Sequence, residues 1–331
     1  MDGGGNARDG LSGGGTNSPL GGLVWCATFL ILDAIQAVYC GGIFQAIDSF
    51  GFGAIVFGVP AALAIAWVWL TKPAQLAAAF KARSSLVWLN VTTAGAWLTY
   101  LIAIQLIEPA VAFTLFSGII PVSALAAARL GIGAPVGRQS MFEKVGMGLL
   151  IIGMAMLAAF TLAGLSGFVR GGPSSYLGVA VLGLVLALVA GALITGMLLS
   201  SHGLVRAGVG PLAQFGLRFP LYTVLAVGGF ALGLDAKGAV PLPDYLFAVL
   251  VGLAVLAFPI YAVQKAVALT TTATIAAFAA TGPLVVFCLQ MVEGRVDYST
   301  ATLAGLIVYF AGTLISALAG TLTGIRNRKT A

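Results

Sequence analysis

The chain has 331 residues, of which 60% are hydrophobic and only 8% are charged. Soluble globular proteins carry about 25% charged residues, so this composition excludes a soluble domain and predicts an all-α integral membrane protein. The net charge of +6 does not point to nucleic acid, because basic residues also orient membrane helices.

The chain begins with about 20 residues rich in Gly, Ser and Asn, which predict a disordered cytoplasmic tail over residues 1–20 and not a cleaved signal. Beyond it, apolar runs recur at the length of about 20 residues that spans a bilayer as a helix. A basic cytoplasmic tail is predicted over residues 323–331. Ten transmembrane helices are predicted, at residues 22–43, 51–71, 84–106, 109–129, 142–163, 176–200, 211–234, 245–268, 270–292 and 299–322.

The basic residues predict which side each loop faces. If the N-terminus is inside, twelve of the sixteen Lys and Arg residues fall in cytoplasmic segments and three in outer loops, while Arg218 lies within the seventh apolar segment. Short cytoplasmic loops carry this excess of positive charge. We therefore predict a multi-pass protein of the cell inner (plasma) membrane with both termini in the cytoplasm.

The two halves of the chain resemble each other. Ala103-Ile104-Gln105 is followed by Gly118-Ile119-Ile120-Pro121 in the first half, and Ala262-Val263-Gln264 by Thr281-Gly282-Pro283 in the second. Each half holds five apolar segments, and an odd number gives the second half the opposite orientation. The pattern predicts inverted five-helix repeats at residues 21–163 and 176–322, with a substrate site at their interface.

These blocks, with Glu293-Gly294-Arg295-Val296 and the glycine-containing last segment, resemble the drug/metabolite transporter superfamily in its ten-helix, EamA-type form. The resemblance covers residues 22–322, and it is closest to the YddG-type exporters of aromatic amino acids. The first half departs from the pattern, with Gly131-Ile132-Gly133-Ala134 in place of the acidic turn. The resemblance implies helices around a central cavity and export of hydrophobic amino acids.

Polar and ionisable residues within the apolar segments are the candidates for substrate binding, because each costs free energy in the bilayer unless it faces a cavity or a partner. On the first and third segments they share helix faces. The alternatives are a structural ion pair for Asp33 and helix packing for the aromatic residues. The predicted cavity residues of these two segments are Asp33, Gln36, Tyr39, Asn90, Trp97 and Tyr100.

Basic residues in the second half predict contacts to a substrate carboxylate, with snorkelling to the membrane surface as the alternative for Arg218 and Lys265. The predicted cavity residues of the seventh and eighth segments are Gln214, Arg218, Tyr222, Tyr261, Gln264 and Lys265. Prolines within helices remove a hydrogen bond, so Pro121, Pro259 and Pro283 are hinge candidates.

No catalytic set of nucleophile, base and orienting group can be assembled from the sequence, so an enzyme is not expected, and neither is a cofactor or metal. We expect an amino acid and the lipid bilayer as partners, no nucleic acid, and a monomer in preference to an oligomer. Two alternatives stay open: a carrier of anionic or nucleotide-linked metabolites or drugs, and a membrane enzyme or scaffold that transports nothing.

Overall fold

The computed structural model describes residues 19–132, 140–270 and 272–329, and within these ranges it contains helices and no strands. The prediction of an all-α membrane protein is confirmed in this coarse form. The helices are α1 (Pro19–Ile43), α2 (Ser49–Thr71), α3 (Pro73–Lys81), α4 (Arg83–Leu106), α5 (Pro109–Arg129), α6 (Met141–Leu162), α7 (Tyr176–Arg206), α8 (Pro211–Leu217), α9 (Pro220–Ala231), α10 (Leu242–Leu269), α11 (Thr272–Glu293) and α12 (Thr300–Lys329).

Seven of these helices are long and apolar enough to cross a membrane over their described residues: α1, α2, α4, α5, α6, α7 and α12. Each of the ten apolar segments predicted from sequence contains helix, with most boundaries shifted by one to three residues. The exceptions are α7 and α12, which continue for six and seven residues beyond the predicted ends. The two predicted tails, 1–20 and 323–331, fall largely or partly outside the described residues.

The predicted segment 211–234 is not one continuous helix, and this prediction is corrected. Helix α8 ends at Leu217 and α9 begins at Pro220. Proline has no backbone N–H to donate, so Pro220 cannot make the hydrogen bond that would continue α8. Arg218 and Phe219 therefore lie at a break between two short helices.

Helix α3 was not predicted, because nine residues are too few to form a span. It follows α2 after Lys72, and Pro73 occupies its first turn, where the missing N–H is not needed. The Gln75 side chain accepts a hydrogen bond from the Gly210 backbone N–H at 3.0 Å. Helix α3 therefore lies beside the loop between α7 and α8, at one end of the bundle.

Glycines allow α6 and α12 to pack with their backbones close together. A Cβ atom on Gly146 would lie 2.5 Å from the Ser316 nitrogen, and one on Gly153 would lie 2.6 Å from the Tyr309 nitrogen. Gly312 of α12 packs in the same way against Leu150. Small residues at a helix interface are typical of membrane bundles, and here they join the fifth predicted span to the tenth.

Several other helix pairs also connect the two halves of the chain. Helix α1 packs against α10 and α11, whereas α7 packs against α4 and α5. Helix α2 packs against both α8 and α9. The main buried core is consequently built from residues of both halves, including Ala34, Phe52, Tyr100, Phe219 and Val286.

Candidate functional site

The three candidates on α1 lie on its inward side. Asp33 is half-buried and shares a face with Cys26, Ala37 and Cys40, which are buried, whereas Ile31 on the opposite face is exposed. Among the described residues, none forms an ion pair or hydrogen bond with the Asp33 carboxylate. Its carboxyl group thus lies on the inward face of α1 with no partner among the described residues.

The two other α1 candidates differ in their contacts. Gln36 is buried, and no hydrogen bond joins its amide to another described residue. The Tyr39 hydroxyl donates to the Ala248 carbonyl at 3.4 Å. Tyr39 therefore links α1 to α10, while Gln36 keeps its hydrogen-bonding capacity.

A row of aromatic rings crosses the interior beside Asp33. We call Phe116, Tyr100, Trp97, Phe57 and Phe219 the aromatic row, and its successive ring centroids lie 4.5, 6.2, 4.6 and 4.9 Å apart. These spacings fall within the range of favourable aromatic pairs. Tyr222 extends the row sideways, with its ring 5.0 Å from that of Phe57.

Tyr100 brings the acidic candidate and the aromatic row together. It belongs to the same buried core as Ala34, the neighbour of Asp33 on α1, and its hydroxyl is buried without a hydrogen-bond partner among the described residues. A buried hydroxyl without a partner carries a free-energy cost. This end of the row therefore offers a hydroxyl and a carboxylate that have no hydrogen-bond partner among the described residues.

Arg218 lies at the other end of the aromatic row, at the break between α8 and α9. Its guanidinium carbon is 5.2 Å from the centroid of the Phe215 ring and 5.1 Å from that of Phe219, which are cation–π distances. Its Nη1 approaches the Met197 sulfur at 3.8 Å, a weak acceptor. Its Nε is buried and lacks a partner among the described residues, so the guanidinium retains capacity for an anion.

Asn90 binds backbone at the same break. Its amide nitrogen donates to the Leu217 carbonyl at 2.8 Å, and its amide oxygen accepts from the Leu221 N–H at 3.2 Å. The Leu217 carbonyl and the Leu221 N–H have no partner within a helix, because α8 ends and α9 begins between them. Gln214, another predicted cavity residue, donates to the Val209 carbonyl at 2.8 Å. The side-chain amides of Asn90 and Gln214 therefore both hydrogen-bond to backbone groups near the break.

The candidates on α10 are only partly described. Tyr261 and Gln264 belong to the helix, but their side chains lie outside the described part of the structure. Lys265 is exposed. The three hinge candidates lie inside helices, with Pro121 in α5, Pro259 in α10 and Pro283 in α11, and each removes one helical hydrogen bond.

Sequence reasoning missed a buried carboxylate. Glu108, at the start of α5, accepts hydrogen bonds from Gln290 Nε2, from the Gly167 N–H and from Thr302 Oγ1, the last two at 2.8 Å. Desolvation by burial raises the pKa of the Glu108 carboxyl above its usual value, while these hydrogen bonds act in the opposite direction. Through its bonds to Gln290 and Thr302, Glu108 of the first half is linked to the second half at one end of the bundle.

A second polar cluster lies at the same end. Asp235 accepts from Lys237 Nζ at 2.5 Å and from the Ser49 hydroxyl at 2.6 Å. Lys237 also contacts the Ile47 carbonyl and Gln105. Burial acts to raise the pKa of the Asp235 carboxyl, but the bonds from Lys237 and Ser49 outweigh it and lower that pKa. Both clusters lie at the end of the bundle that is predicted to face outward.

Comparisons with known proteins establish the fold and no more. No family model matches the chain, and no curated protein matches it. A solved chain described as "Crystal structure of protein" aligns with a TM-score of 0.58, covering 90% of this chain and 97% of its own length at 17% identity. At that identity the likeness shows a shared fold, and this helical membrane bundle is therefore one that also occurs in a solved protein.

Proposed function

We propose that this protein is a secondary transporter that exports amino acids with aromatic or apolar side chains across the inner membrane by alternating access. In this proposal ten spans form two inverted five-helix repeats, with α8 and α9 together making the seventh span. Both termini lie in the cytoplasm, and the substrate binds in the interior between the repeats.

The helix contacts support the repeats. If α1, α4 and α5 correspond to α7, α10 and α11, exchanging the halves converts the pair α1–α10 into α7–α4. It likewise converts α1–α11 into α7–α5, and all four pairs are in contact. Two repeats related by a twofold axis produce this exchange.

The observation that carries the proposal is the unpaired Asp33 carboxylate on the inward face of α1, beside the aromatic row. An acid within a membrane span costs about 2.5–3.5 kcal/mol on insertion scales, and here no cation among the described residues offsets that cost. A substrate ammonium would supply the missing charge. The rings would then pack against the apolar side chain, and Arg218 would donate hydrogen bonds to a carboxylate.

Flux in proteoliposomes tests the proposal. Vesicles that contain the protein and labelled phenylalanine or methionine are expected to release the label faster than empty vesicles. The variant Asp33→Asn keeps the size of the side chain but removes its charge, and we expect at least a tenfold loss of flux. The matched control is Asp297→Asn, because Asp297 is exposed in the loop before α12; this variant is expected to transport like the parent.

Two results would contradict the proposal. Release equal to that from empty vesicles would remove amino acids as substrates, and an unchanged flux in Asp33→Asn would remove the role of this carboxylate. The unpaired Nε of Arg218 also suits a phosphate, so the substrate panel includes a sugar phosphate and a nucleotide sugar. Transport of these compounds in place of phenylalanine would favour the carrier of anionic metabolites.

A further inference from the structure

A pocket with a volume of about 570 Å³ lies between α4, α5 and α7, away from Asp33 and Arg218. Its volume is within the range of pockets that hold small ligands. Neither Asp33 nor any residue of the aromatic row lines it, so it is separate from the proposed transport site. It is lined by Ser84, Ser85, Trp88, Thr92, Ser123, Ala127, Ile132, Ala192, Thr195, Gly196, Leu199 and Ser200.

The lining combines hydroxyl groups with apolar walls. Ser123 and Thr195 hydrogen-bond each other at 2.6 Å, and Thr195 also contacts the Ile120 carbonyl. The hydroxyls of Ser84 and Ser85, by contrast, form no hydrogen bond with another described residue. An amphipathic ligand would find donors near the start of α4 and apolar contacts deeper between the helices.

Exposed tryptophans show the level of the pocket in the membrane. Trp88, which lines it, is 59% exposed, and Trp67 and Trp69 near the end of α2 are exposed to a similar extent. Tryptophan is enriched where lipid headgroups meet the hydrocarbon core. The mouth of the pocket therefore lies at headgroup level, at the end of the bundle that also carries α3.

An arginine occupies one terminus of each of the three helices that form the pocket. Arg83 begins α4, Arg129 ends α5 and Arg206 ends α7, all on the same side. All three side chains are exposed, and none forms an ion pair with another described residue. None of the three lines the pocket itself, but Arg83 directly precedes Ser84 of the lining and Arg129 follows Ala127 by two residues. Basic residues at the cytoplasmic ends of membrane helices attract anionic lipid headgroups.

We propose that this pocket binds an anionic phospholipid, such as phosphatidylglycerol, from the cytoplasmic leaflet. The arginines attract the phosphate, the serine hydroxyls donate hydrogen bonds to the headgroup, and an acyl chain lies between α4 and α5 against Trp88 and Leu199. This site does not depend on what the protein transports.

Lipid binding to the purified protein in a neutral detergent tests the proposal. Native mass spectrometry compares phosphatidylglycerol with phosphatidylcholine of the same chains, and the parent is expected to bind the anionic lipid more tightly. Each arginine near a charged headgroup contributes about fivefold in affinity. The double variant Arg83→Gln/Arg129→Gln should therefore lose roughly 25-fold. The control Arg170→Gln, in an exposed loop of another part of the chain, should lose none.

A second pair of variants tests the pocket itself. Ala192→Phe on α7 would fill it, whereas Val185→Phe, an exposed position on the same helix outside the pocket, would not. Only Ala192→Phe should abolish the preference for phosphatidylglycerol, with both variants checked for folding by gel filtration.

Three outcomes would overturn the proposal. Equal binding of the two lipids by the parent would show that no anionic lipid is selected. Full competition by glycerophosphoglycerol, which has the headgroup without acyl chains, would identify a site for free phosphate. If Ala192→Phe still bound the lipid but no longer bound phenylalanine, the pocket would belong to the transport path.

Discussion

At the scale of single residues, the interior charges differ in how they are compensated. Glu108 is fully buried and has three hydrogen-bond donors, whereas Asp33 has none among the described residues. A buried charge with satisfied hydrogen bonds is typical of structural roles, while an unsatisfied one is typical of binding sites. We therefore expect a structural role for Glu108, in contrast to the substrate contact proposed for Asp33.

This assignment predicts opposite phenotypes. The variant Glu108→Ala leaves Gln290, Thr302 and the Gly167 N–H without their acceptor, and the loss should be about 1–3 kcal/mol in the free energy of unfolding. Thermal unfolding in detergent should show a lower melting temperature than for Asp297→Ala, which removes an exposed carboxylate. Equal melting temperatures for the two variants would contradict a structural role of Glu108.

The sequence revealed Asp33 and Arg218 because ionisable residues are conspicuous in apolar segments. It did not reveal Glu108, which occupies a short gap between two predicted spans. Its partners Gly167, Gln290 and Thr302 are distant in sequence and approach it only in the folded chain. Likewise, nothing in the sequence distinguishes Phe57 or Phe219, which extend the aromatic row, from other apolar residues of their segments.

At the scale of elements, the packing of α6 on α12 depends on particular glycines. Gly153 has no space for a Cβ, because that atom would lie 2.6 Å from the Tyr309 nitrogen, while Gly148 on the same helix has nothing within 4 Å. The sequence showed several glycines in this span, but only the partner helix distinguishes those that are packed.

The two positions therefore predict opposite effects for the same substitution. Gly153→Ala should force the helices apart and lower the free energy of unfolding by about 1–3 kcal/mol. Gly148→Ala should be neutral or should raise it by up to about 1 kcal/mol, since alanine favours helix over glycine. Melting temperatures of the purified variants measure the difference, and a similar fall for both would argue against close packing at Gly153.

At the scale of the whole molecule, the polar clusters of Glu108 and Asp235 lie at one end, and the arginines around the lipid pocket lie at the other. The basic end is predicted to face the cytoplasm. The apolar helices could be predicted because segments of about 20 apolar residues are readily recognised, whereas the inverted repeat stays a prediction. The interior arrangement could not, because it depends on contacts between the halves.

This orientation predicts which loops can be labelled by a reagent added outside the cell. In a background without native cysteines, Ser174→Cys before α7 should react with a membrane-impermeant maleimide in spheroplasts. Ala207→Cys after α7 should react only when the membrane is permeabilised, because both positions are exposed but lie at opposite ends of that helix. The reverse pattern would invert the predicted topology and would place the proposed flux in the opposite direction.

The break between α8 and α9 also bears on biosynthesis. At 1.5 Å per residue, helices of 7 and 12 residues are only about 10 and 18 Å long, so neither reaches across a hydrocarbon core of about 30 Å. Asn90, which binds the exposed backbone groups at the break, is synthesised more than 100 residues earlier. Helix α4 is thus synthesised before this interrupted span, and Asn90 is available to bind the backbone of the break as the span folds.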